Sequence, residues 1–240
     1  EWTPGVDSDP HLNILHAQNL GDSVAGYYSS ADEYSRIVHE FSNEREMFYI
    51  NIDNVTIGND FYNSVLAHEF QHMIHSYNDR NEDTWLNEGF SELASYLNGY
   101  ETGGEEMAFA MRPDTQLNSW PDETSEAGPN YGAAYLFTSY FLERFGEEAT
   151  RALVADQANG IASVDAVLLE WGYSFDELFA DWVVANYLDD PSLEDGRYGY
   201  RELRMGVGDV YSLRRYPVER QDTVHQYAAD YIAFEPQRDL

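Results

Sequence analysis

The chain has 240 residues, of which 43% are hydrophobic and 15% aromatic; that is enough to bury a sizeable core in one large domain or two lobes, and too apolar for general disorder. The net charge is −31 and all 13 basic residues are Arg, a field that repels nucleic acid and anionic membranes and argues against both as partners. The absence of Cys excludes disulfides, thiolate metal sites and a Cys nucleophile, and leaves His and carboxylates to hold any metal.

The first sixty residues read as β and loop. His11–Leu15 and Met47–Ile52 have the composition of strands, and a stretch with Gly and Ser around Gly26–Ser30 separates them. Asp53-Asn54 and Gly58-Asn59-Asp60 then punctuate a loop. Helical patterns follow over about 61–190: Tyr62–Tyr77, Trp85–Leu97, Tyr131–Arg144, Glu147–Gln157, Val164–Trp171 and Asp176–Leu188. Most of their ends carry Gly or Pro, as stop signals should. Val210–Leu213 and Tyr227–Phe234 read as strands again. The expected organisation is a domain over 1–195, with a β-rich lobe over about 1–60 and a helical lobe over about 61–195. Residues 196–240 are expected to be a β-type extension, the start of a further module; a closing strand of the main domain is the alternative. No apolar run has the length needed to cross a bilayer. The chain opens on Glu1 rather than Met, as a processed segment would, and a secreted location is expected.

The chemistry is concentrated in Ala67-His68-Glu69-Phe70-Gln71-His72. Two His at i and i+4 lie on one helix face a turn apart, so both imidazoles can reach one tetrahedral ion. Glu69 stands between them, placed to reach a water on that ion without occupying it. A catalytic zinc needs a third protein ligand and one open position. The next helix supplies a candidate in Trp85-Leu86-Asn87-Glu88-Gly89-Phe90-Ser91-Glu92. A short turn over 77–84 brings it back antiparallel to the first. Glu88 then faces the His pair, and Glu92, a turn on, can accept the free N–H of one ligand His, fixing its tautomer. His75, one turn past His72, is a rival ligand in principle but is expected behind the site or at the surface, because the helix bends away from an ion held by the preceding pair. Asp79 is expected in the loop or at the helix end.

HEFQH followed by WLNEGFSEL resembles the gluzincin metallopeptidases, whose third ligand is a Glu on the second helix. Leu86-Asn87-Glu88-Gly89-Phe90 looks like the third-ligand segment of the aminopeptidase N family, and Glu88 to Glu92 is similar to the thermolysin arrangement. The extended strings His68–Ile74 and Leu86–Gly89 resemble the hyicolysin family of secreted bacterial neutral proteases. A metzincin would carry Gly near 75 and His or Asp at 78, where this chain has His75 and Asn78. The resemblance implies an α+β zincin-like domain, with a small N-terminal β lobe, a mainly helical C-terminal lobe and the active site in the cleft between. It implies one catalytic zinc held by His68, His72 and Glu88, Glu69 as general base, Glu92 behind a ligand, and a peptide or protein substrate. The string from Tyr131 to Phe145 is similar to the gluzincin segment that begins with a catalytic Tyr. Tyr131 is therefore the expected oxyanion donor, with Tyr135 the runner-up.

Met47–Ile52 is a candidate edge strand for pairing with an extended substrate. The aminopeptidase GxMEN segment is missing, although Glu44 or Glu46 stands at a comparable distance, so an endopeptidase is expected before an aminopeptidase. Two other classes stay open. One is a zincin-like domain that binds without turnover, and the other is a calcium-stabilised extracellular module built on loops such as Asp53–Asp60. Calcium is also a candidate structural ion beside zinc. The acidity itself fits a very soluble surface or, more sharply, a high-salt habitat, with a calcium-rich medium as the alternative.

Overall fold

The structure is a computed structural model that describes residues 5–208, 210–215 and 217–235. It is an α+β protein, with five strands and six α-helices among the described residues. Its backbone divides into two compact units. The first holds the chain up to Asn81 together with Phe90–Gly103; the second holds Glu82–Gly89 and everything from Gly104 on.

The first unit is built on a three-stranded sheet of β1 (Asn13–Ala17), β2 (Gly26–Tyr28) and β3 (Met47–Asn51), in the order β1-β3-β2. β1 runs parallel to β3 and β2 antiparallel to it. Met47–Ile52 is thus the central strand and not the expected edge. The physical reason is burial on both faces, which leaves only Tyr49 of the five residues partly accessible. The free edges belong to β1 and β2. Alternation points Phe48 and Ile50 to one face, where they meet helix α1 (Asp60–Asn78). Ile50 packs with Val55, Tyr62 and Val65, and Phe48 meets Phe70 edge-on at 6.3 Å. On the opposite face Tyr27 stacks on Tyr49 at 4.3 Å, and the Tyr49 hydroxyl donates to buried Asp32 at 2.6 Å. The stretch around Gly26–Ser30 that separates the two expected strands is itself a short strand followed by a helical turn.

α1 starts where Asn59 accepts from the Tyr62 N–H at 2.7 Å, so the Asn that punctuates the loop is the helix cap. The second helix, α2 (Thr84–Leu97), begins in the second unit and ends in the first.

The second unit contains α3 (Glu105–Ala110), α4 (Gly128–Ala155), α5 (Ile161–Leu168) and α6 (Phe175–Leu188). Two of the expected helices run on as α4, broken in dihedral angle at Gly146, where φ is 81°. α6 opens with a reciprocal cap, in which Ser174 accepts from the Glu177 N–H and the Glu177 carboxylate accepts from the Ser174 N–H. The core is aromatic. Trp85 meets Phe137 at 5.4 Å, Trp182 meets Phe137 at 5.7 Å, and Phe109 stacks on Trp182 at 5.5 Å. The last segment forms a two-stranded parallel sheet of β4 (Val210–Leu213) and β5 (Tyr231–Phe234). This segment returns along the helices of the same unit: the Gly208 N–H donates to Ala110 O, and the Tyr231 hydroxyl donates to Val183 O at 2.8 Å.

Candidate metal centre

α1 brings His68 and His72 onto one face, with their Nε2 atoms 3.0 Å apart and their rings edge-to-face at 4.7 Å. Two nitrogens bound at ~2.0–2.1 Å to one tetrahedral zinc would lie ~3.3 Å apart, so the observed separation suits two corners of such a site. The ligand atoms of His68, His72 and Glu88 all lie within 4.8 Å of one another, and each of the three residues is partly buried. This is the only group of three or more His, Asp or Glu gathered for a metal among the described residues. The donor set of two imidazoles and one carboxylate is chemically suited to zinc. In the loop suggested for calcium, Asp53 already accepts from the Gln18 amide and the Asn19 N–H.

The outer nitrogens of both imidazoles are held. His68 Nδ1 lies 3.0 Å from Glu92 Oε1, with both side chains largely buried. His72 Nδ1 lies 3.1 Å from the Ser91 hydroxyl, and Ser91 is wholly buried. With each Nδ1 carrying a proton towards its acceptor, both Nε2 lone pairs converge on one point. Sequence reasoning anticipated a partner at Glu92 and missed Ser91. The available signal was spacing, since Ser91 is three residues beyond Glu88 and so on the same side of α2.

Glu69 is 5% exposed. α2 is fixed at the position after Glu88 by a close approach to α4. A Cβ on Gly89 would lie 2.7 Å from Ala134 O, and the Thr138 hydroxyl donates to Gly89 O at 2.9 Å. Trp85, Leu86, Phe90 and Leu93 are buried on either side of Glu88.

His75 is 1% exposed, so it is not a surface residue. Neither of its ring nitrogens has a hydrogen-bond partner among the described residues, and its ring packs edge-on to Phe90 at 5.9 Å. Burial pushes its pKa down to about 4, against the opposing pull of Asp79. Asp79, one turn on, ends the helix as expected and is itself buried. Tyr131 lies in the first turn of α4, half-buried and edge-on to Trp120 at 4.9 Å; Tyr135 is buried. Gly132 between them meets α3, where a Cβ would clash with Glu105 O. The small residues at 132–134 thus serve two close approaches, one to α3 and one to α2.

A cavity of about 430 Å³ lies against α1, lined by Leu66, Phe70 and Ile74 together with Leu12, Ile14 and Phe48. Phe70 and His68 are two residues apart on a helix and point to opposite sides. This cavity therefore lies on the side of α1 away from His68.

No family model matches the chain. The chain is 25% identical over 191 residues to the neutral metalloprotease ShpI of Staphylococcus hyicus, an alignment covering 64% of this chain and 40% of that protein. It thus spans about two fifths of the length of the curated relative it matches. Together with the gathered His68, His72 and Glu88, that similarity relates the chain to the metalloproteases.

Proposed function

We propose that this chain carries the catalytic centre of a zinc peptidase that cuts within peptide chains, a gluzincin similar to the hyicolysin proteases. The observation that carries the reading is the convergence of His68, His72 and Glu88, with both imidazoles backed from behind. When bound, zinc would lower the pKa of water towards ~7 and polarise the scissile carbonyl. Glu69 takes the proton of the attacking water and passes it to the leaving amine. Tyr131 donates to the oxyanion as charge develops, with Tyr135 as the alternative donor. Glu92 keeps the proton of His68 on Nδ1, so that Nε2 stays available as a ligand.

Endopeptidase action is favoured over aminopeptidase action by the state of the two carboxylates that could bind a substrate amino terminus. Glu44 accepts from the Arg36 N–H at 2.9 Å within its own loop, and Glu46 is 5% exposed and pressed against Gly5. A secreted location and a structural calcium ion belong to the same proposal. Among the described residues no helix is long and apolar enough to cross a membrane.

The test is zinc content together with hydrolysis of unfolded casein and of aminoacyl reporters, with and without chelator. The wild type should hold one zinc and cut casein in preference to the reporters. Glu69→Gln should keep zinc and lose turnover, because the amide keeps the shape and cannot act as base. Glu88→Ala should lose zinc. Equal zinc content in wild type and Glu88→Ala would reject the site, and reporter hydrolysis without casein hydrolysis would turn the reading to an aminopeptidase. Stoichiometric zinc without any hydrolysis would favour a binding module.

A further inference from the structure

Resting on the zinc-site reading above, we propose that Ser91 is a positioning residue that sets His72 for the metal. His72 Nδ1 has the Ser91 hydroxyl 3.1 Å away, and Ser91 is fully buried. The serine is held on a well-anchored stretch of helix. One turn on, Ser95 donates to Ser64 O of α1 at 3.0 Å, and on either side Phe90 and Leu93 are buried.

The two ligand histidines are supported by different chemistry. A carboxylate without a proton only accepts, so Glu92 draws the His68 proton to Nδ1 and leaves no choice of tautomer. A hydroxyl both accepts and donates, so Ser91 can serve His72 with the proton on Nδ1 or without it. Only the first arrangement leaves Nε2 as a lone pair facing the Nε2 of His68. Ser91 therefore holds the ring plane of His72 in place, and its hydroxyl turns to accept from Nδ1–H when Nε2 is needed as a ligand. Removing the hydroxyl takes away the acceptor that Ser91 offers to Nδ1–H, a loss that falls on the metal-competent tautomer in particular.

The experiment compares Ser91→Ala with Ser95→Ala in the full chain. Both remove one fully buried hydroxyl from α2, but Ser95 touches Ser64 and not a histidine. Zinc affinity is read by competition with a chelator, and folding by the melting midpoint of the chelated proteins. Ser91→Ala should weaken zinc binding ~10–100-fold, as loss of a partner behind a ligand does elsewhere. Ser95→Ala should lower the midpoint at least as much and leave zinc affinity near wild type. In zinc-loaded wild type, proton–nitrogen NMR of the histidines should show protonated Nδ1 on both His68 and His72, and the His72 signal alone should shift or broaden in Ser91→Ala. Unchanged zinc affinity and an unchanged His72 signal in Ser91→Ala would overturn the proposal, as would equal affinity losses in the two variants. Failure of the wild type itself to bind zinc would instead sink the zinc-site reading on which this rests.

Discussion

Gly89→Ala tests whether the position of Glu88 depends on how closely α2 approaches α4. The added Cβ would stand 2.7 Å from Ala134 O, 2.9 Å from Thr138 Cγ2 and 3.0 Å from Ala134 C, whereas ordinary contact begins near 3.4 Å. Two of these three neighbours are backbone atoms inside a helix, so the obstacle cannot rotate away. The helices must part by about 0.7 Å at this point, and overpacking of that kind costs ~1–3 kcal/mol. The Thr138 hydroxyl, which also lies within 3.0 Å of Ala134 O, would have its bond to Gly89 O stretched, at a further ~1 kcal/mol. A loss of ~2–4 kcal/mol in a chain of this size lowers the melting midpoint by roughly 4–16 °C. The displacement falls on the residue directly after Glu88, so zinc retention under chelator should fall as well. Gly206→Ala is the control, because a Cβ there meets nothing within 4 Å; it should stay within ~0.5 kcal/mol of wild type. If Gly89→Ala melts with the wild type and holds zinc as tightly, the close helix approach does not position the ligand.

His75 should make the fold acid-sensitive. Its folded pKa of about 4 lies below the 6.5 of the unfolded chain, so between these values the unfolded state binds the extra proton and stability falls as pH falls, by up to ~3 kcal/mol at the acid end. His75→Phe should flatten a denaturation series across that window, and a profile parallel to wild type would refute the assignment. Tyr131→Phe should lower kcat by ~10²–10³ while leaving KM and zinc content nearly unchanged, because the oxyanion bond strengthens only as charge develops. A loss at Tyr135→Phe alone would move the donor one turn along α4, and no loss at either would remove it from this helix. The melting midpoint should rise with sodium chloride, since a net charge of −31 repels itself in the compact state and ~1 M salt screens beyond ~3 Å; a flat or falling midpoint would dismiss the high-salt explanation of the acidity.

Helices with long apolar periodicity and clear end signals were legible in the sequence. Tyr62–Tyr77 is observed as Asp60–Asn78 and Trp85–Leu97 as Thr84–Leu97, with the cap at Asn59 accounting for the earlier start. What was hidden depends on contacts distant in sequence. β2 has three residues, too few to show alternation, and exists because β3 offers it a partner. α3 has six residues with no strong pattern, and it packs on α4 where Gly132 admits its backbone. The central place of β3 was missed because an edge strand and a central one share the same composition, and only the pairing of β1 with its other side separates them. In the site, i and i+4 spacing was enough to bring His68 and His72 together. The burial of His75 was not readable, because an imidazole with no bonding partner on either nitrogen runs against the usual satisfaction of buried polar groups. Ser91 was masked by its small size and by the more conspicuous Glu92 beside it.

All the side chains that converge in the candidate centre lie between positions 68 and 92, on two helices joined by one short turn. Contacts of such short sequence separation need little loop closure, so the helix pair can assemble before the sheet beside it, where β1 must find β3 across more than thirty intervening positions. An ion captured by the early helix pair would stabilise that piece of structure while the sheet is still searching for its register, and refolding in the presence of zinc would then run faster than refolding without it. The residues proposed to hold the ion would in this way also act early in folding, as a nucleus for the structure around them.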